Sequence, residues 1–365
     1  MRAAAWLAML DLVSIPKGQV NPMGVTGCNR RIFSAATAAL AVTAVVPGLR
    51  AQPRLEKKRL TLAVGTRSAF HFLPLTIAEQ LGYFKAEGLE LELGDFAAGA
   101  ADVVSGSYEQ VLGLQARGQR FQSFVLQGRA PAMSLGISTK TLPLYRSPAS
   151  LVGKKIGISA AGSLSHLLAS SVLTRVNLKP VDASFVAVGS GAGALSALRS
   201  GQIDAMCNAE PVMTMLEQKG EVRIVADTRT LKGTLEIFGG PMPAACLYAT
   251  TEFVQRNPNT VQALTNAMVY ALKWLQTAGP GDIIKTVPEA YLLGDRALYL
   301  TAFNKVREAI SPDGLMPEDG PRTVLKALAG FDAGIRADKI DLARTYSNDF
   351  VKKVKDPFNI RSPSA

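Results

Sequence analysis

One pattern constrains this chain more than any other, because it occurs twice. A short apolar run, a loop of small polar residues, a helix, a further strand and loop, and then a strand announced by Gly-x-x-Asp begin near Leu60 and again near Lys155. In the first copy, Leu60 to Val64 reads as a buried strand running into Gly65, and Leu73 to Leu81 has helical spacing with Gly82 placed to stop it. Leu89 to Leu93 then alternates apolar and acidic residues, as a half-buried strand does. In the second copy, Lys155-Ile156-Gly157-Ile158 is the strand and Ala160 to Ser165 the loop, with an apolar helix from Leu167. Val186 to Val188, the Gly189-Ser190-Gly191 loop, a helix through Leu195 and Leu198, and the turn Gly201 to Met206 complete it. Strands alternating with helices at this spacing predict an α/β protein of two lobes, each a mostly parallel sheet flanked by helices. Met133 to Ile137 and Ala245 to Tyr248 carry the chain between the lobes, which places residues 52–133 plus 247–365 in one and 134–246 in the other. Beyond them the stripe Val261, Leu264, Met268, Leu272 and Leu275 predicts a long packed helix that starts at Asn257-Pro258.

The 365 residues are 48% hydrophobic and 19% charged, which excludes a disordered chain and supplies ample core. No apolar run reaches the roughly 18 residues of a membrane span. Arg30 and Arg31 precede the uncharged stretch Ile32 to Val46, Pro47-Gly48 breaks it, and Ala51 offers a small residue before Gln52. That order predicts an N-terminal extension and cleaved export signal over residues 1–51, the signal itself beginning at Met23 as the expected start, weakly twin-arginine in type, with a periplasmic product. The segment carries five basic groups and one acid, so the remainder keeps a net charge of +7. No Lys/Arg run is dense enough for a nucleic-acid groove. Cys207 and Cys246 read as two separate buried thiols.

Catalytic machinery is sparse. His71 and His166 are the only histidines, no metal-ligand spacing surrounds either, and neither a nucleophile elbow nor a phosphate loop occurs. Gly189 to Ala194 fits a loose dinucleotide pattern with Glu210 downstream, but it is short and Gly/Ala-rich by composition, and no cofactor is expected. What remains is a set of polar strand-to-helix loops: Thr66, Arg67, Ser68 and His71; Ser105, Ser107 and Tyr108; Ser163, Ser165 and His166; Ser190 and Gly191. Loops of this kind gather at the carboxyl edges of parallel strands, where free N–H groups and hydroxyls bind ligands. Arg67 would supply a fixed charge for a carboxylate or sulfonate, and His71, Tyr108 and His166 would flank a ring. Asn208 and Glu210, at the end of the strand after the second-lobe helix, join the candidate set.

Ala78-Glu79-Gln80-Leu81-Gly82-Tyr83-Phe84-Lys85-Ala86-Glu87-Gly88-Leu89 resembles the "Ala-x-x-x-Gly-Tyr-Phe-x-x-Glu-Gly-Leu" stretch of periplasmic solute-binding proteins of nitrate, sulfonate and taurine ABC importers. These are related to thiamine-pyrimidine-precursor proteins. Leu151 to Gly157, Ser200 to Ala205 and Glu210-Pro211 resemble the second lobe of the same family, and the resemblance covers Leu60 to about Val354. It implies a class II binding-protein fold that closes on a small organic anion or heterocycle, as a monomer, and delivers it to a permease and its ATPase at the inner membrane. It implies no enzyme; the alternatives are a pyrimidine-precursor synthase-like enzyme, whose cysteine-rich motif this chain lacks, and a ligand-sensing module. One departure stands out. Phe96 to Ala100 runs almost directly into Ala101-Asp102, about nine residues shorter than the second copy, or two and a half helical turns. A strained or rearranged first lobe is the expectation.

Overall fold

The computed structural model describes residues 54–94, 100–332 and 334–354. The segment expected to be an export signal with its cut before Gln52, and the run Phe96 to Gly99, lie outside the described residues. In chain order the elements are β1 (Arg59–Val64), α1 (Leu73–Gln80), α2 (Tyr83–Ala86), β2 (Glu90–Gly94), β3 (Val103–Ser107), α3 (Tyr108–Ala116) and β4 (Phe121–Leu126). Next come β5 (Met133–Ser138), β6 (Lys155–Ile158), α4 (Leu164–Thr174), β7 (Ser184–Ala187), α5 (Ala192–Arg199), β8 (Ala205–Ala209), α6 (Val212–Gln218), β9 (Val222–Asp227) and α7 (Leu231–Phe238). After β10 (Ala245–Thr250) the chain is helical: α8 (Thr251–Arg256), α9 (Pro258–Thr277), α10 (Pro280–Thr286), α11 (Arg296–Val306), α12 (Gly320–Phe331) and α13 (Asp349–Lys352).

The strands form two five-stranded sheets, ordered β2-β1-β3-β10-β4 and β7-β6-β8-β5-β9. β1 runs parallel to β2 and β3, and β6 parallel to β7 and β8. β10 is antiparallel to both its neighbours, and so is β5. The two segments expected merely to carry the chain across are therefore full sheet members. Met133 to Ser138 is buried on both faces, and Ala245 to Thr250 nearly so, which is why each seats inside a sheet rather than at its rim.

Both sheets share one order, so the short stretch after β2 has not rearranged the topology. β2 and β3 flank β1 in regular register, as β7 and β8 flank β6. Eight residues separate Gly94 from Val103, enough to span about 26–29 Å when extended. Three other boundaries move. Ser105 and Ser107 belong to β3 rather than a loop, because β1 and β10 pair with that stretch from either side. The second-copy helix starts at Leu164 instead of Leu167, since the Ser163 hydroxyl caps it by accepting from His166 N–H. β7 runs from Ser184 rather than Val186, its register set by pairing Lys155 with Ser184.

The chain leaves the first sheet at the carboxyl end of β4 and enters the second at Met133; it leaves the second at the carboxyl end of β9 and returns at Ala245. The carboxyl edges of the parallel strands therefore face one another across the crossovers 127–132 and 228–244. Short backbone bonds fix these crossovers: Gln127 N–H donates to Ala245 O at 2.7 Å, and Thr228 N–H to Met133 O at 2.9 Å. Behind the first sheet, the α9 stripe is fully buried and packs on α1.

Candidate functional site

The facing edges collect the polar loops. In the first, Ala69 N–H closes a turn on the carbonyl of exposed Thr66 at 3.0 Å. Arg67 is paired with Glu79 of α1, yet its Nε is buried without a partner. Ser68 is half-buried. Phe70 N–H reaches across the edges to Glu210 O at 3.2 Å. The His71 ring lies 4.1 Å from Phe72, its Nδ1 has no partner, and burial lowers its pKa to about 4. At pH 7 this imidazole is neutral.

At the end of β3, the buried Ser105 hydroxyl accepts from Gln127 Nε2 at 2.9 Å. Gln127 is itself fully buried, with Oε1 unpartnered. Sequence reasoning missed it; its signal was a lone amide closing the apolar run Phe124-Val125-Leu126. Ser107 is the N-cap residue of α3, and its N–H donates to Gln110 Oε1 at 3.3 Å. Tyr108 is not among the groups on the edge: it is fully buried, and its hydroxyl shares a short hydrogen bond with Thr345.

On the second sheet, Ser159, Ser163 and Ser165 bond one another through their hydroxyls at 2.8–3.0 Å, and Ser163 donates to Ala160 O at 2.7 Å. The loop is thus locked by its own side chains. His166 Nδ1 accepts from Gly162 N–H at 3.1 Å, so the neutral ring carries its proton on Nε2. Phe185 lies 4.3 Å and Phe331 of α12 4.7 Å from this ring, and burial lowers its pKa to about 4. Ser190 and Gly191 are half-buried at the start of α5. Asn208 is fully buried and donates to Gly189 O at 2.9 Å, so it holds that loop to β8.

Glu210 is also committed internally. Its carboxylate accepts from Arg229 Nη1 at 2.8 Å and from Thr214 N–H at 2.9 Å. Arg229, only 3% exposed, further binds Asp227 at 2.6 and 2.8 Å and Glu217 at 3.0 Å. Arg229, too, was missed, because nothing local marks an arginine whose partners lie 2, 12 and 19 residues away. The arrangement offers one guanidinium, two neutral imidazoles and fixed hydroxyls, which is recognition chemistry. Cys207 and Cys246 are free and buried; burial pushes the Cys246 thiol up to about 12 and Cys207 higher still, so neither is a thiolate nucleophile. No group of His, Cys, Asp and Glu among the described residues could hold a metal ion.

The profile of the NMT1-like family matches residues 138–286. A solved Bordetella bronchiseptica RB50 protein is 52% identical, with a TM-score of 0.80, over 82% of this chain and 98% of its own. The alkanesulfonate-binding protein SsuA from Xanthomonas axonopodis pv. citri, bound to MOPS, shares the fold at 19% identity and a TM-score of 0.62, over 81% of this chain and 100% of that one. The desulfurization enzyme DszB shares it at 17% identity and a TM-score of 0.55, over 81% and 98%. One fold thus carries both a binder and an enzyme, so the fold by itself assigns neither role. Residues 138–286 thus match the NMT1-like family, and the chain has the two-sheet α/β fold of solved periplasmic binding proteins such as SsuA.

Proposed function

We propose that this protein is the exported solute-binding component of an ABC importer, without catalysis, and that it captures a small organic anion or heterocycle between its facing sheet edges. Residues 52–133 with 247–365, and residues 134–246, act as the two lobes that close on the solute and present it to a permease and its ATPase. The observation that carries this reading is the unspent polar capacity gathered on the first lobe's edge. Arg67 Nε, His71 Nδ1 and Gln127 Oε1 are all buried without a partner. Buried polar atoms are rarely left unpaired, and three at the carboxyl edge of one sheet point to a ligand. Because both histidines are neutral, Arg67 is the cation of the candidate set, and Glu79 already takes part of its charge. A solute with one negative charge and a flat or apolar body fits better than a multiply charged one.

Isothermal titration of the secreted protein against alkanesulfonates, carboxylates, nitrate and pyrimidines tests this. Binding of one class, weakened about 10-fold or more by Arg67→Met through loss of a charged hydrogen bond, is the expected result. Undiminished affinity in that variant removes Arg67 from the site. Turnover of a bound pyrimidine or sulfinate overturns the non-catalytic reading.

A further inference from the structure

Two of the contacts that join the lobes end on groups held by a single buried arginine. Phe70 N–H donates to Glu210 O at 3.2 Å, and Lys305 Nζ reaches Glu217 Oε2 at 2.6 Å. Lys305 lies near the end of α11, which is anchored to the first lobe. Tyr299 and Phe303 of α11 lie 4.6 and 6.5 Å from the Phe70 ring. Arg307, just beyond α11, donates to Gln276 O and Ala278 O at the end of α9, at 2.7 and 3.1 Å. Glu210 and Glu217 stand on the second lobe, at the end of β8 and on α6. The Arg229 guanidinium binds both, through Nη1, while Nε and Nη2 clamp Asp227.

We propose that Arg229 is the positioning residue of lobe closure: by holding Glu210 and Glu217 together it presents the Glu210 carbonyl to Phe70 and the Glu217 carboxylate to Lys305. The proposal rests on the two-lobed binding reading given above. Three carboxylates meet around Arg229, and without a cation among them they repel one another. Only a planar fork with five donors serves three carboxylates at once; an ammonium is a single point of charge. Glu217 Oε2 is shared between Arg229 at 3.0 Å and Lys305 at 2.6 Å, so the cluster inside the second lobe and the contact between lobes meet at one oxygen. Burial pushes the Glu217 carboxyl up, but Lys305 and Arg229 outweigh it and hold the group below the usual carboxylate range. The carboxylate is therefore charged when the lobes meet.

The test measures the distance between spin labels at two exposed sites, Lys85→Cys on the first lobe and Lys219→Cys on the second, in full-length Cys28→Ser protein. Lys305→Met, Glu217→Gln and Arg229→Lys are each introduced into this background. All three are expected to move the distance distribution to longer values, with Arg229→Lys moving it furthest because both contacts loosen. Adding Lys305→Met to Arg229→Lys should then change little, since the second substitution acts on a contact already lost. An unchanged distribution in Lys305→Met overturns the proposal even where Arg229→Lys fails to fold, because Lys305 is a partly exposed side chain whose loss leaves the core intact. Additive shifts in the double variant also overturn it. For any solute found by titration, the dissociation rate should rise about 5- to 30-fold while the association rate holds within about twofold. If no solute binds the unaltered protein, the binding reading fails, whereas the distance measurement still judges the clasp.

Discussion

The two sheets are built on one plan, and among the described residues they differ by one helix. In each, the aspartate of the Gly-x-x-Asp turn braces the first strand. Asp102 Oδ2 accepts from Thr61 N–H at 3.0 Å, and Asp204 Oδ2 accepts from Lys155 N–H at 3.0 Å. The backbone answers in kind: Asp102 N–H donates to Thr61 O at 3.0 Å and Asp204 N–H to Lys155 O at 2.8 Å. In the second sheet α5 then covers the Gly157 side, and Ala194, Ala197, Leu198, Ile203, Met206 and Met213 form a separate small core there. In the first sheet the connection from β2 to β3 has eight residues, against 17 from β7 to β8. The matching side instead carries Arg59, Thr61, Glu90 and Glu92 around an open groove of about 520 Å³. The difference teaches that strand order and sheet coverage are separate problems. Bridging two strand ends needs reach alone, whereas covering an apolar face needs a helix. A sheet side that presents charge has no apolar face to cover.

The comparison breaks most severely where the helix packs. Ile203→Ala removes a fully buried side chain beneath α5 and should lower stability by about 2–5 kcal/mol in denaturant melts. Glu92→Ala, on the uncovered side, should stay within about 0.5 kcal/mol. Equal losses would show that the groove side is not solvated as its residues suggest.

The next effect is pH-dependent. Glu109 of α3 is buried with both carboxylate oxygens unpartnered, and burial raises its pKa to about 7. Its contribution to stability is full below about pH 4.5 and is lost as pH rises through about 7. Glu109→Gln should therefore stabilise the protein at pH 8, by as much as about 3 kcal/mol, and have little effect at pH 4.5. His71 and His166 work in the opposite sense. Their lowered values mean that stability is full above about pH 6.5 and is lost as pH falls through about 4. Thermal melts from pH 4 to 8 should show both limbs, and only the alkaline one should vanish in Glu109→Gln.

The braces themselves come third. Asp102→Ala and Asp204→Ala each leave a strand amide without its charged acceptor and should cost about 1.5–3 kcal/mol. Asp102 should cost more, since it also binds the Thr61 hydroxyl at 3.2 Å and Lys57 at 2.5 Å. Smallest is the exposed pair of Lys58 and Glu90, 2.8 Å apart beside the groove, whose removal should leave the denaturant midpoint unchanged because solvent and salt screen it.

Much of this plan was legible in the residues. The repeated strand-loop-helix order, Gly82 at φ 73°, Pro258 in the first turn of α9 and the buried stripe from Val261 to Leu275 all follow from periodicity and turn chemistry acting within a few positions. So did the shortfall after β2. The site was legible only as a set of loops. Ser105 and Ser107 looked like loop residues because small polar residues are common in turns; their place in β3 came from β10, a strand more than a hundred residues later.

Alone, the sequence determined the two-sheet architecture, the polar carboxyl edges and which residue types stand on them. Local sterics and hydrophobic spacing need no distant partner to act. Tertiary structure decided how the charges are spent: Arg67 on Glu79, Glu210 on Arg229 and Glu217 on Lys305, 88 residues apart. It also decided that Tyr108 lies in the core, that Asn208 holds a loop, and that both histidines are neutral. Those outcomes depend on burial and on which chains of contact the topology closes, and neither quantity exists until the sheets have met.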